Sequence, residues 1–182
     1  MAWRTLSFAL FAGLLGAAVA IAHVEWRDPK RAYGQWTGDV ALGAANESLL
    51  SRAYRARHQV FSLPTAHALY FYLRRDTEGR PLDGACRYTV RGAAPPGRWW
   101  SLTAYGTDGY LLDVTPYSVA AAARDARALS FDIRPPRASP SPAIATRRDL
   151  PFYMLLRIYT PASIRDDWAV TLPQVARADC AT

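Results

Sequence analysis

Lysine is almost missing from this sequence of 182 residues: Lys30 stands alone among 22 basic residues, and the other 21 are arginines. Histidine is limited to positions 23, 58 and 67, and no His-x-His or His-x-x-x-His spacing occurs, so a zinc site has no support. Gly-x-Gly-x-x-Gly, Gly-x-Ser-x-Gly and a phosphate-binding loop are also missing, which removes the common nucleotide-binding and serine-hydrolase signatures. Neither a metal nor a cofactor is expected. Ser101, between Trp100 and Leu102, lacks the sharp turn that exposes a nucleophile. The carboxylates fall in turn-like settings, such as Asp83 before Gly84 and Asp108 before Gly109. No pair stands out as the two groups that would face each other across a glycosidase cleft.

What is present describes a folding chain. The length suits one domain, and 51% hydrophobic against 20% charged residues excludes wholesale disorder. A net charge of +7 would suit nucleic acid, but the arginines are interleaved with acids. Arg74-Arg75 precede Asp76 and Glu78, and Arg147-Arg148 precede Asp149, so no continuous cationic track forms and no nucleic-acid partner is expected.

Leu6 to Ala22 runs for 17 residues without a charge, and His23 and Val24 extend it toward the length that a bilayer core requires. Ala18-Val19-Ala20 and Ala20-Ile21-Ala22 both offer the small-x-small pattern of a signal-peptidase site. Residues 1–30 therefore read as a signal peptide or a membrane anchor with a tether, and 31–182 as the exported domain. The expected partner of residues 6–24, if uncleaved, is the inner membrane; cleavage would leave a soluble periplasmic domain. In an exported chain, two cysteines 94 positions apart are most simply one disulfide, Cys86 to Cys180, with two buried thiols as the alternative.

Asp28 to Gly43 lacks periodicity and reads as a tether and entry loop with Trp36 as a local anchor. Asn46 to Gln59 then predicts one amphipathic helix of about three turns, capped by Asn46 or Ser48, with Glu47 in its first turn and Arg52, Arg55 and Arg57 facing outward. From Pro64 onward the period becomes two. Strands are predicted over Ala66–Leu73, Ala85–Arg91, Arg98–Tyr105, Tyr110–Val114, Ala128–Arg134 and Phe152–Tyr159. Pro135–Asp149 reads as a loop over an edge, Pro161–Asp167 as a helix-like turn, and Trp168–Val175 as a last extended piece. Half-buried strands with tight turns and one early helix define a mainly β protein, an antiparallel β-sandwich.

Alternation places Trp99, Tyr105, Tyr153, Arg157 and Tyr159 opposite the predicted core. These residues are the candidate ligand-binding set, and the same rings could form a subunit interface or complete a second layer. The leading functional reading is a non-catalytic envelope domain that binds a small apolar or carbohydrate-like ligand or an envelope protein partner, with a homo-oligomer also compatible. The alternative is a hydrolase or lyase assembled from Asp83, Arg98, Arg157 and His67.

Four segments carry a family resemblance. They are Leu50-Ser51-Arg52-Ala53; Asp76-Thr77-Glu78-Gly79-Arg80-Pro81-Leu82-Asp83-Gly84 with Cys86 and Tyr88; Arg98-Trp99-Trp100-Ser101-Leu102-Thr103-Ala104-Tyr105; and Leu155-Leu156-Arg157-Ile158-Tyr159 with Pro161. Their order over roughly residues 34–180 resembles the domain of unknown function DUF1214. The resemblance implies a jelly-roll-like β-sandwich behind a membrane segment and supplies no reaction. The chain departs from the family pattern at Ala143–Pro151 and at Asp113–Ser118.

Overall fold

The computed structural model describes residues 2–26, 30–57, 62–122, 128–136, 142–161 and 172–180. They belong to two compact units, Met1–Pro29 with Ala45–Phe61, and Lys30–Ala44 with Ser62–Thr182. The first unit carries two helices. Helix α1, Ala2–Trp26, contains the apolar stretch Trp3–Val24, whose 22 residues would span about 33 Å. Among the described residues this is the one helix long and apolar enough to cross a membrane. Helix α2, Leu49–Arg57, starts three residues later than the sequence suggests. Ser48 caps it, its Oγ accepting the Ser51 amide at 3.1 Å. Glu47 therefore lies ahead of the cap instead of in the first turn, and its buried carboxylate takes Arg55 at 2.7 Å. His58 and Gln59, at the expected helix end, lie outside the described residues.

The second unit is mainly β. One sheet has the order β1-β2-β3-β9-β5-β6 and the other β10-β4-β7-β8. The strands are β1 Arg31–Tyr33, β2 Trp36–Gly38, β3 Ala68–Leu73, β4 Cys86–Ala93, β5 Gly97–Gly106, β6 Ser118–Ala122, β7 Ala128–Arg134, β8 Ile144–Ala145, β9 Phe152–Pro161 and β10 Gln174–Cys180. Alternation supplies the common core: Phe71 and Leu73 from β3, Trp100 and Leu102 from β5, and Met154, Leu156 and Ile158 from β9 oppose Tyr88, Val90 and Ile133 of the other sheet. Tyr88 meets Phe152 edge-on across the layers at 5.7 Å between ring centres.

Several expectations require correction. The entry loop contains the β1–β2 hairpin, with Trp36 buried and its Nε1 donating to the Pro173 carbonyl at 2.7 Å. No strand covers Tyr110–Val114; Leu111 makes one bridge to Tyr105. There the Asp108 carboxylate accepts the Tyr110 amide at 3.1 Å and Gly109 adopts a φ of 89°, so the turn holds the chain off the ladder and β6 takes the edge of β5. The proline-rich loop contributes β8, which pairs parallel with β7 and makes the smaller sheet mixed. Directly after Pro173, which lacks an amide to donate, the last strand runs from Gln174 on to Cys180, beyond the expected end at Val175. Residues 162–171, including Trp168 and the expected turn to Asp167, lie outside the described set.

Strand β10 runs antiparallel to β4 and sets Cys180 opposite Cys86. The two form a disulfide with Cα atoms 3.8 Å apart, closer than the roughly 4.4–6.8 Å usual for such bridges.

Candidate functional site

The ladder between β5 and β9 brings the predicted ligand-binding residues together. Its register pairs Trp99 with Tyr159, Ser101 with Arg157, Thr103 with Leu155 and Tyr105 with Tyr153. All eight share the face turned away from the core, because the intervening residues are Trp100, Leu102, Ala104, Met154, Leu156 and Ile158 of the core; Thr103 and Leu155, at the middle of this face, are buried as well. On one side β3 sets Tyr70 opposite Arg157 and Tyr72 opposite Leu155; on the other, β6 sets Ser118 opposite Thr103.

Arg157 organises the centre. Its Nη2 donates to the Tyr105 hydroxyl at 2.6 Å and its Nη1 to Thr103 Oγ1 at 3.4 Å. Thr103 in turn shares a hydrogen bond of 3.0 Å with the Ser118 hydroxyl. A row of rings crosses three strands: Tyr72 lies 6.3 Å from Tyr153, which stacks on Tyr105 at 5.6 Å with 16° between the planes. Each ring carries its own cation. Lys30 Nζ lies 5.3 Å from the centre of Tyr72, the Arg74 guanidinium 4.9 Å from Tyr153 and that of Arg157 5.6 Å from Tyr105. Burial pushes the Tyr153 phenol above its usual range, while Arg74 and Arg157 pull against that shift. The raised Tyr153 phenol is therefore neutral at physiological pH beside the Arg74 and Arg157 guanidinium groups. Trp99, 44% exposed, stands at the far end as the open ring of the face.

Lys30, Tyr72, Arg74, Thr103 and Ser118 are missing from the candidate set drawn from the sequence. The signal for two of them was within reach: in Ala68–Leu73, Tyr72 alternates with the buried Phe71 and Leu73, and Arg74 is the next residue on that side. The contributions of Lys30 and Ser118 depend on pairing between distant strands and leave no local pattern.

The proposed catalytic quartet is not gathered in one place. Arg157 lies on the ring face. His67 precedes β3 beside the end of β9, its carbonyl accepting the Thr160 amide at 2.8 Å, and Arg98 is exposed at the start of β5 near the same end. Asp83 lies at the opposite end of β9, bridged to Pro151, and its carboxylate accepts the Ala85 amide at 2.9 Å. Among the described residues no three His, Cys, Asp or Glu side chains are placed to hold a metal.

A second polar centre is structural. Asp76 is buried, accepts the amides of Glu78 and Arg80 at 2.9 and 3.0 Å, and faces the Nε atoms of Arg80 and Arg177 at 3.0 Å each. Burial by itself would raise its carboxyl, but the Arg80 amide and guanidinium together with the Glu78 amide hold it below the ordinary carboxylate range. Arg177 also lies 5.5 Å from the Tyr88 ring, so the last strand is tied to the Asp76 turn.

Fold and face together define a two-layer β-domain that carries a cationic row of tyrosines on an outer sheet surface. The model of the family "Protein of unknown function (DUF1214)" matches residues 67–163, more than half of the chain, and the chain belongs to that family. No curated protein matches it. Among solved structures it is similar to the VPA0106 protein from Vibrio parahaemolyticus, at 23% identity and a TM-score of 0.54, over 71% of this chain and 35% of that one. A putative uncharacterized protein from Burkholderia cenocepacia also matches, at 23% identity and a TM-score of 0.40, over 63% of this chain and 30% of that one. The chain therefore spans about a third of the length of these structures. The first likeness supports the two-sheet fold.

Proposed function

We propose that the chain is a non-catalytic binding domain of the cell envelope, exported through α1 and either anchored by residues 6–24 in the inner membrane or released after cleavage. The row of Tyr72, Tyr153 and Tyr105, each ring partnered by a cation, carries the binding reading. Aromatic surface and fixed charge are the ingredients of ligand recognition, and here they sit on interior strands that hold them rigidly. Export is supported by the apolar Trp3–Val24 helix and by the Cys86–Cys180 bridge, which is at home in an oxidising compartment.

The test is a fluorescence titration of the full chain in detergent against small apolar compounds and oligosaccharides, neutral and charged. Saturable quenching of Trp99 is expected, with loss of the response in a Tyr105→Ala, Tyr153→Ala double variant that still melts cooperatively. Unchanged binding in that variant would move the site elsewhere. A reporter active only outside the cytoplasm, fused after residue 30, should be active; an inactive fusion would overturn export. Mass analysis then separates anchor from cleaved signal.

A further inference from the structure

We infer that α2 is an interfacial helix that holds an anionic phospholipid against the end of α1, an acyl chain in the cleft between the two helices and the headgroup phosphate on Arg52. The inference rests on the anchored form of the function proposed above and gives that anchor a lipid-specific contact. Both helices belong to one compact unit, where Ala20, Ile21 and Val24 of α1 and Ala53, Ala56 and Arg57 of α2 line a cleft of about 470 Å³. Val24 ends the apolar stretch of α1, and Ala20 lies inside it by about 6 Å of helix. With Trp3–Val24 in the bilayer, the cleft opens at the edge of the hydrocarbon core, the depth at which amphipathic helices seat their apolar faces. Its α1 wall is lipid-facing, so its occupant enters from the bilayer.

The sides of α2 divide to match. Positions 49, 53 and 56 fall on one side of a 3.6-residue helix, and Leu49, Ala53 and Ala56 are all exposed there. Leu49, 82% exposed, carries the apolar stripe beyond the cleft. The opposite side is already engaged: Ser51 is buried, and Arg55 pairs with the buried Glu47 at 2.7 Å. Arg52 stands exposed at the flank of the stripe, and no carboxylate among the described residues pairs with it. An apolar stripe with an arginine at its flank suits acyl chains below and phosphates at headgroup level. Cleavage after Ala20 or Ala22 would take Ala20 away, so the cleft belongs to the uncleaved chain.

The test uses the full chain, its mass measured first, in vesicles of phosphatidylcholine with about 30 mol % phosphatidylglycerol. A Leu49→Cys variant takes an environment-sensitive fluorophore, because the native cysteines are held in the Cys86–Cys180 bridge. Bromine is placed on the upper acyl chain of one lipid at a time, and it quenches fluorophores that it touches. Both lipids should quench position 49, and phosphatidylglycerol should show a relative association constant about fivefold above that of phosphatidylcholine at low salt, the worth of one arginine at an anionic surface. Arg52→Gln should bring that ratio to about one. Arg91→Gln, which removes the same charge from an exposed position on β4, should leave it unchanged. Equal association of the two lipids with the native chain, or a preference that survives Arg52→Gln or falls equally in both arginine variants, would overturn the lipid site and leave the anchor standing. Absence of quenching by either lipid would place α2 outside the interface and overturn the inference; energy transfer between differently labelled chains would then assign the stripe to a second copy. A mass lacking residues 1–20 or 1–22 would overturn the anchor and the lipid site together and leave the ring face untouched.

Discussion

Replacing Asp76 by asparagine should unfasten the last strand from the turn before β4. The asparagine keeps one oxygen for the amides of Glu78 and Arg80, at 2.9 and 3.0 Å in the native chain. Its NH2 group then points at the Nε atoms of Arg80 and Arg177, so donors face donors and two cations lose their carboxylate. Breaking a buried ion pair from one side costs about 3–5 kcal/mol. The low end applies, about 3 kcal/mol, because the Arg177 side chain is only 17% exposed whereas that of Arg80 is 43% exposed and stays partly hydrated. With a urea dependence of about 2 kcal/mol per molar, the unfolding midpoint should fall by about 1.5 M, read from the buried Trp36 and Trp100. The Asp76 carboxyl is held below its ordinary value in the folded chain, so its stabilising contribution is present above about pH 4 and disappears as pH falls through the folded value. Native and variant midpoints should therefore converge in acid. A midpoint shift under about 0.3 M at neutral pH, or a gap that persists in acid, would refute this reasoning.

Further outcomes follow from other contacts. Thiol titration of the denatured, unreduced chain should find no free cysteine, and Cys180→Ser should cost about 2–5 kcal/mol in chemical unfolding. Gly84→Ala should destabilise by at least about 3 kcal/mol or prevent folding, since the added Cβ would meet the Arg147 carbonyl oxygen at 1.8 Å; normal melting of that variant would contradict the close approach. Burial pushes the Tyr88 phenol above its usual range against the opposing pull of the Asp83 amide and Arg177, so its contribution to stability is complete below about pH 10 and is lost as pH rises through the folded value. In an alkaline titration followed by tyrosinate absorbance, Tyr88→Phe should remove a late-titrating component.

Long strands were legible in the sequence because one face of each is buried. Over Ala128–Arg134 and Phe152–Tyr159 the alternation identified the strands with almost the observed limits. The hairpin β1–β2 and strand β8 escaped because runs of two or three residues cannot display a period, and their pairing is decided by distant partners. Tyr110–Val114 misled for the opposite reason: apolar residues after a Gly-containing turn resemble a returning strand, while the Asp108 side chain closes the turn differently. The same division holds for the site. Trp99, Tyr105, Tyr153, Arg157 and Tyr159 could be assigned to one face by counting in twos, but the placement of Lys30 over Tyr72 is a property of the assembled sheet. Likewise, the Asp76–Arg177 contact joins positions 101 residues apart and has no local signature.

The most direct test of the binding face uses the full chain labelled with fluorotyrosine, its resonances assigned by single Tyr→Phe substitutions, and followed by fluorine NMR as the tightest-binding apolar compound or oligosaccharide is added. Tyr72, Tyr105 and Tyr153 should shift together and saturate at one ligand concentration, whereas Tyr33 and Tyr88, buried in the core, should stay in place. Shifts confined to Tyr110 and Tyr117, with the three-ring row unmoved, would contradict the account.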